Sequence, residues 1–170
     1  AELLSAKSIA KLLRADVETL EENMAVYTEL LKKIHATPVK PGEMPAIKET
    51  GVDWAEFLQP YLPAEQWEKL VTMMKAIPEP EFMIHGDYHA NNVMIQNGEP
   101  ILIDLDTLCV GHPIFELGSM YNAFLGFSAI DHSAIERFMG YNRDTSKRFW
   151  NLSLKRYLGT DDENVCRSVE

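Results

Sequence analysis

Positive charge is scarce in this sequence. Lys and Arg number 16 against 26 Asp and Glu, a formal net charge of −10. That excludes nucleic acid and anionic membrane as principal partners, because both need Lys and Arg to neutralise phosphate. Cysteine is scarcer: Cys109 and Cys166 are the only two, far apart in the chain. They exclude a disulfide framework and a Cys-rich metal site, and they point to a reducing cytoplasm. No apolar run approaches the roughly 18 residues of a membrane-spanning helix, and no signal-peptide pattern opens the chain. Internal repeats and low-complexity tracts are missing too. So is an initial Met: Ala1 comes first and a helical pattern follows at once, as in a fragment or a processed chain.

What remains is enough for one folded domain spanning residues 1–170, with 46% hydrophobic residues to build a core. A short apolar stretch runs from Leu3 to Leu13, with Lys7 and Lys11 on a helix-like pattern. Asp16 reads as an N-cap. Val17, Leu20, Met24, Tyr27, Leu31 and Ile34 then mark one face of a long helix. Residues 38–52, with Pro38, Pro41, Pro45, Gly42 and Gly51, read as a loop. Short helices are predicted over Asp53–Leu58 and about Pro63–Ile77, the second stopped by Pro78 and Pro80. Val93-Met94-Ile95 and Ile101-Leu102-Ile103 flank Gln96-Asn97-Gly98-Glu99, and Asn-Gly between two β-type runs predicts a type I′ hairpin. After Pro113 the pattern is helical: Phe115–Phe127, then Asp131 capping a helix to Met139, then Asp144 capping one from Thr145 to Leu158, with Gly159 as its stop. The predicted class is α+β: a mainly α-helical body with one small central β-hairpin.

The chemistry concentrates in His85-Gly86-Asp87-Tyr88-His89-Ala90-Asn91-Asn92 and, after the hairpin, Asp104-Leu105-Asp106. Phosphoryl transfer from a nucleoside triphosphate needs a carboxylate to take the proton of the attacking hydroxyl. It also needs hard oxygen ligands to hold Mg²⁺ against the phosphates. Asp87 follows an apolar strand, with Gly86 beside it giving backbone freedom. Asn92 lies five residues on, at the mouth of the hairpin, and the hairpin returns Asp104 to that mouth. Strand alternation sets a condition: a regular two-residue hairpin places Asn92 opposite Ile103, so Asp104 joins Asn92 only where the chain leaves strand geometry.

His85 to Asn92, Ile103-Asp104 and Gly111-His112-Pro113-Ile114-Phe115-Glu116-Leu117 together resemble the aminoglycoside phosphotransferase and choline kinase-like family, as does Leu30-Leu31-Lys32-Lys33-Ile34-His35. The resemblance spans most of the chain, while its specific motifs occupy residues 84–118. It implies a protein-kinase-like fold, of which this chain is the helical C-terminal lobe. The N-terminal nucleotide lobe is absent, since no Gly-rich loop or strand lysine is found, and roughly 80–100 further residues are expected upstream. It implies ATP-dependent transfer of a γ-phosphoryl group to a hydroxyl of a small molecule, with Mg²⁺ and ATP or another nucleoside triphosphate as cofactors. By position, Asp87 is the catalytic base and Asn92 and Asp104 bind the metal and its nucleotide. His85 buttresses the loop. His89 packs the loop or touches substrate or phosphate. Glu116, where the family usually has Asp, is a helix start or a loop anchor. Asp106 matches no family ligand and stands behind the site or on the surface.

The acidic charge favours a cationic acceptor. The surface left open by a missing lobe invites a homodimer, and such a lobe alone should bind nucleotide poorly. Two other readings are open. One is a metal-dependent phosphoesterase with His85, Asp87, His89, Asp104 and Asp106 around two metals. The other is a non-catalytic kinase-like binding module. His35 reads as a satisfied helix-end histidine, and nothing assigns chemistry to His112 or His132.

Overall fold

The apolar stripe forms α2, Leu20–His35, burying Leu20, Met24, Tyr27, Leu31 and Ile34 along one face. In this computed structural model the described residues are 5–40, 42–78 and 82–169; Ala1, Leu3, Pro41 and Pro80 lie outside them. Asp16 caps a single 3₁₀ turn, Val17–Thr19, and accepts from the Glu18 amide at 3.0 Å. The helix proper starts at Leu20, and Val17 is left exposed, off the predicted face.

Upstream, Lys7 corrects the helical reading of its segment. It belongs to a two-residue strand, β1 (Lys7–Ser8), before α1 (Ile9–Ala15). Ser8 accepts from the Lys11 amide, so the cap separates the two lysines.

The helix α3 spans Ile47–Phe57 and α4 Ala64–Ala76. The loop predicted to residue 52 therefore ends early. Gly51 lies inside α3, where the close packing leaves no room for a side chain: a Cβ would stand 2.6 Å from Met74 Cε and 3.0 Å from Phe115 Cε1. Packing between helices overrides the local glycine signal.

β3 (Val93–Gln96) and β4 (Glu99–Leu102) form the predicted hairpin, with Gln96 opposite Glu99 and Val93 opposite Leu102. Asn97 and Gly98 both have positive φ, 53° and 84°, as a type I′ turn demands. β1 pairs with β3, giving the order β1-β3-β4 with Pro100 on the free edge. A second ladder joins β2 (Met83–Ile84) to β5 (Cys109–Val110), so the sheet content exceeds one hairpin.

The C-terminal half is helical. α5 (Pro113–Tyr121) passes through a π-helical segment, Asn122–Gly126, into α6 (Phe127–Ile130). α7 is Ala134–Met139; Asp131 precedes it and accepts from the Ser133 amide rather than sitting at its N-cap. α8 (Arg143–Leu158) is capped by Asn142, which accepts from Thr145 N at 2.8 Å, not by Asp144. Gly159, at φ 68°, ends it as predicted, and a short α9, Glu163–Arg167, follows.

α2 and α8 enclose the centre of the core. Tyr27 meets Phe149 edge-on at 5.1 Å, and Phe149 stacks on Phe124 at 5.3 Å. The exposed pairs Arg148–Glu21 and Arg156–Glu29 span the same two helices but add little beside this apolar contact. Among the described residues no helix is long and apolar enough to cross a membrane.

Two tyrosines tie this core to the loop after β2. Tyr27 donates its hydroxyl to the Tyr88 carbonyl at 3.1 Å, and Tyr88 donates to the Tyr27 carbonyl at 2.7 Å. Tyr27→Phe strands the buried Tyr88 carbonyl and should cost about 1–3 kcal/mol, measured by urea denaturation. An unchanged midpoint would show that the exchange does not hold the loop.

Candidate active site

The loop after β2 is suspended from a buried carboxylate. Glu116, fully buried in the first turn of α5, accepts from the His85 amide on Oε2 at 2.7 Å and from the Gly86 amide on Oε1 at 2.9 Å. His35 Nε2 lies 3.4 Å from the same Oε2, and His35 Nδ1 meets the Tyr157 hydroxyl at 2.8 Å. Burial, and then the Glu116 charge, pushes the Tyr157 phenol up to about 12, so it keeps its proton. Glu116 is thus both a helix-start residue and the loop anchor. The same two causes raise the Cys109 thiol to about 11, which excludes it as a thiolate nucleophile.

His85 is fully buried, and both its ring nitrogens serve backbone. Nε2 donates to the Ile103 carbonyl at 3.0 Å, and Nδ1 accepts from the Asp87 amide at 3.3 Å. It therefore buttresses the loop against the strand leaving the hairpin. Thr107 Oγ1 donates to the His85 carbonyl at 2.8 Å. Gly86 has φ +86°, and a Cβ on it would lie 2.5 Å from the Thr107 carbonyl oxygen. Only glycine lets the chain turn this close to residue 107.

The turn delivers Asp87 half-exposed, its side chain 44% accessible. Asn92, nearly buried, donates Nδ2 to the Asp87 carbonyl at 2.9 Å and to Asp87 Oδ2 at 3.2 Å. With both partners acceptors, the amide nitrogen must face Asp87 and the amide oxygen must face away. His89 reaches the same Oδ2 through Nε2 at 3.4 Å, while its Nδ1 accepts from the Asn91 amide at 3.2 Å. The ring sits edge-on to Phe138 at 4.9 Å. Burial lowers the His89 pKa below its usual 6.5, opposed by the Asp87 charge. A neutral ring with its proton on Nε2 fits these contacts.

Asp104 leaves strand geometry. β4 ends at Leu102, and Asp104 takes φ 60° and ψ 61°, a left-handed conformation that Asp tolerates better than most residues. This meets the condition that strand alternation imposes. The exposed Asp104 carboxylate acts electrostatically on His89 together with Asp87. The donor set would suit a hard cation: the Asn92 amide and the Asp104 carboxylate both offer oxygen, and Mg²⁺ is commonly held by one or two carboxylates together with substrate phosphates. Asp106 sits apart, exposed in the 3₁₀ turn Leu105–Thr107. It lines a hollow of about 250 Å³ with Gly86, Thr107 and the start of α3. A two-metal phosphoesterase site finds no support, because His85 is spent on backbone. Among the described residues no group of three His, Cys, Asp or Glu gathers to hold a metal.

Several supports carried no local signal. Thr107, Tyr157 and the Tyr27–Tyr88 exchange join residues far apart in the chain. Asn91 donates to the Phe138 carbonyl at 3.0 Å and fastens the loop to the end of α7. His35 is satisfied, as read, but by the loop anchor itself. His112 caps α5, accepting from the Ile114 amide at 3.1 Å.

The backbone is similar to that of thermostable mutants of the aminoglycoside phosphotransferase APH(4)-Ia. The apo form matches with a TM-score of 0.54 and 17% identity, over 98% of this chain and 69% of that one. A ternary complex with ADP and hygromycin B matches with 0.51 and 17%, over 96% and 68%. The fold is that of the kinase-like phosphotransferases. The profile described as the phosphotransferase enzyme family matches residues 4–148, and the chain belongs to that family. Comparison with curated protein sequences gives no match.

Two outcomes test this geometry. Gly86→Ala should cost about 1–3 kcal/mol or more through strain and the clash with residue 107, read as a lower denaturation midpoint. For His89 the sign follows from its lowered pKa: below about 6.5 the unfolded chain takes up the proton first. The His89 contribution is therefore complete above that pH and is lost as pH falls through the folded value. His89→Gln should flatten this part of the stability profile, and an unchanged slope would contradict it.

Proposed function

We propose that this chain is the catalytic lobe of a small-molecule kinase that moves the γ-phosphoryl group of ATP, or another nucleoside triphosphate, to an alcohol. The observation that carries the reading is the Asp87 carboxylate, half-exposed and oriented through one oxygen by Asn92 and His89. Its Oδ1 is free to accept the acceptor's proton as the new P–O bond forms and the bond to the β-phosphate breaks. His85, Gly86 and Glu116 position the loop that presents it. Asn92 Oδ1 and Asp104 are the groups that would hold Mg²⁺, which when bound neutralises phosphate charge. Family membership supports the reaction class.

The finer assignments belong to the same proposal. The kinase-like fold family implies that residues 1–170 work with a nucleotide lobe. The net charge of −10 suits a cationic acceptor such as an amino sugar or amino alcohol, and a cytoplasmic enzyme fits the reduced cysteines.

The test is phosphoryl transfer by the full-length protein across amino sugars, choline-like alcohols and sugars. Asp87→Asn should lower the rate by on the order of 10²–10⁴-fold. Asp104→Asn should raise the Mg²⁺ concentration needed for half-maximal rate. Transfer that survives Asp87→Asn nearly intact overturns the assignment, and a full-length protein with no transfer at all favours a binding module.

A further inference from the structure

A cavity of about 390 Å³ opens between α5, α8 and α9, within the size range of small-molecule pockets. Its walls contradict the charge of the chain. Lys147, Lys155 and Arg167 line it against one carboxylate, Glu163, in a protein of net charge −10. Glu163 stands 3.8 Å from Lys155 and 3.8 Å from Arg167, at the outer limit of ion pairing. Lys147 has no carboxylate partner among the described residues, although Asp144 lies one turn earlier on the same helix. The nearby cations Arg148 and Arg156 are already taken by Glu21 and Glu29 on α2. Three cationic residues therefore line one space with a single, loosely held counter-charge.

The remaining lining defines the ligand further. Leu125 and Leu154 give the cavity an apolar side, and the Tyr121 ring stands beside them. A dianion with a small organic body satisfies both parts. A phosphate monoester suits this lining, because it carries two negative charges on terminal oxygens that guanidinium and ammonium groups favour.

We propose that this cavity is an anion site for a small phosphate monoester. The phosphate sits among Lys147, Lys155 and Arg167, displacing Glu163 from between the last two, and the organic part rests on Leu125 and Leu154. None of these residues belongs to the machinery around Asp87, so the site stands or falls independently of the proposed reaction.

Titration of the full chain with phenyl phosphate, followed by calorimetry and by amide shifts in α8 and α9, tests it. Saturable binding is expected, tighter than that of inorganic phosphate, which lacks the apolar body, and tighter than that of benzoate, which has only one charge. Lys155→Ala and Arg167→Ala should each weaken it by about tenfold. Glu163→Gln is the decisive variant: it removes the competing carboxylate and should tighten binding several-fold, which mere loss of folding would not do. Thermal denaturation of each variant confirms that it folds. Binding that is absent, that shifts other elements, or that is unchanged or weakened by Glu163→Gln overturns the proposal.

Discussion

The arrangement around Asp87 depends on one buried carboxylate taking two consecutive backbone N–H groups. Glu116 is fully enclosed, and a charge in that position is tolerable only with its oxygens occupied. The amides of residues 85 and 86 supply that occupation, with the His35 ring beside them. The dependence runs both ways. The loop cannot leave without stranding the carboxylate, and the carboxylate cannot be buried without the loop. The two oxygens of this one carboxylate divide the work, Oε2 taking the residue 85 amide and Oε1 the residue 86 amide, so the loop is held at both positions.

Around this anchor the loop is fixed from several directions by groups that do not touch the Asp87 carboxylate. Thr107 holds the carbonyl of residue 85, His85 links the residue 87 amide to Ile103 at the exit of the hairpin, and Asn91 ties the far end to α7. Tyr27 and Tyr88 join it to α2. The result is a frame that presents the half-exposed Asp87 side chain, with one of its oxygens held by Asn92 and His89. Electrostatic preorganisation of this kind is how enzymes avoid rearranging charge during the reaction.

Much of this was legible in the residues themselves. Asn97-Gly98 announced the hairpin and its turn type because few residues accept positive φ. The three- and four-residue spacing of Leu20, Met24, Tyr27, Leu31 and Ile34 announced α2. What escaped was set by distant partners. Gly51 looked like a loop residue until Met74 and Phe115 pressed against it inside a helix. Lys7 looked helical until Ile95, far along the chain, drew it into a ladder. The choice of Asn142 over Asp144 as cap moved a helix start by two residues, which composition alone does not decide. Within the site, the residues bearing oxygen were readable by motif. Their scaffolding, such as the His35–Tyr157 contact, was not, because it bridges helices at opposite ends of the sequence.

The type I′ turn also acts as a ruler. With Asn97 and Gly98 fixing the reversal, the separation of positions 92 and 104 is counted out by two strands that must stay in step. Lengthening both strands by one rung would push the turn outward and reverse the side on which each end emerges. Lengthening one alone would break the pairing or force a bulge. With regular pairing, a change of length that keeps both ends on their present sides therefore comes in steps of four residues, two per strand.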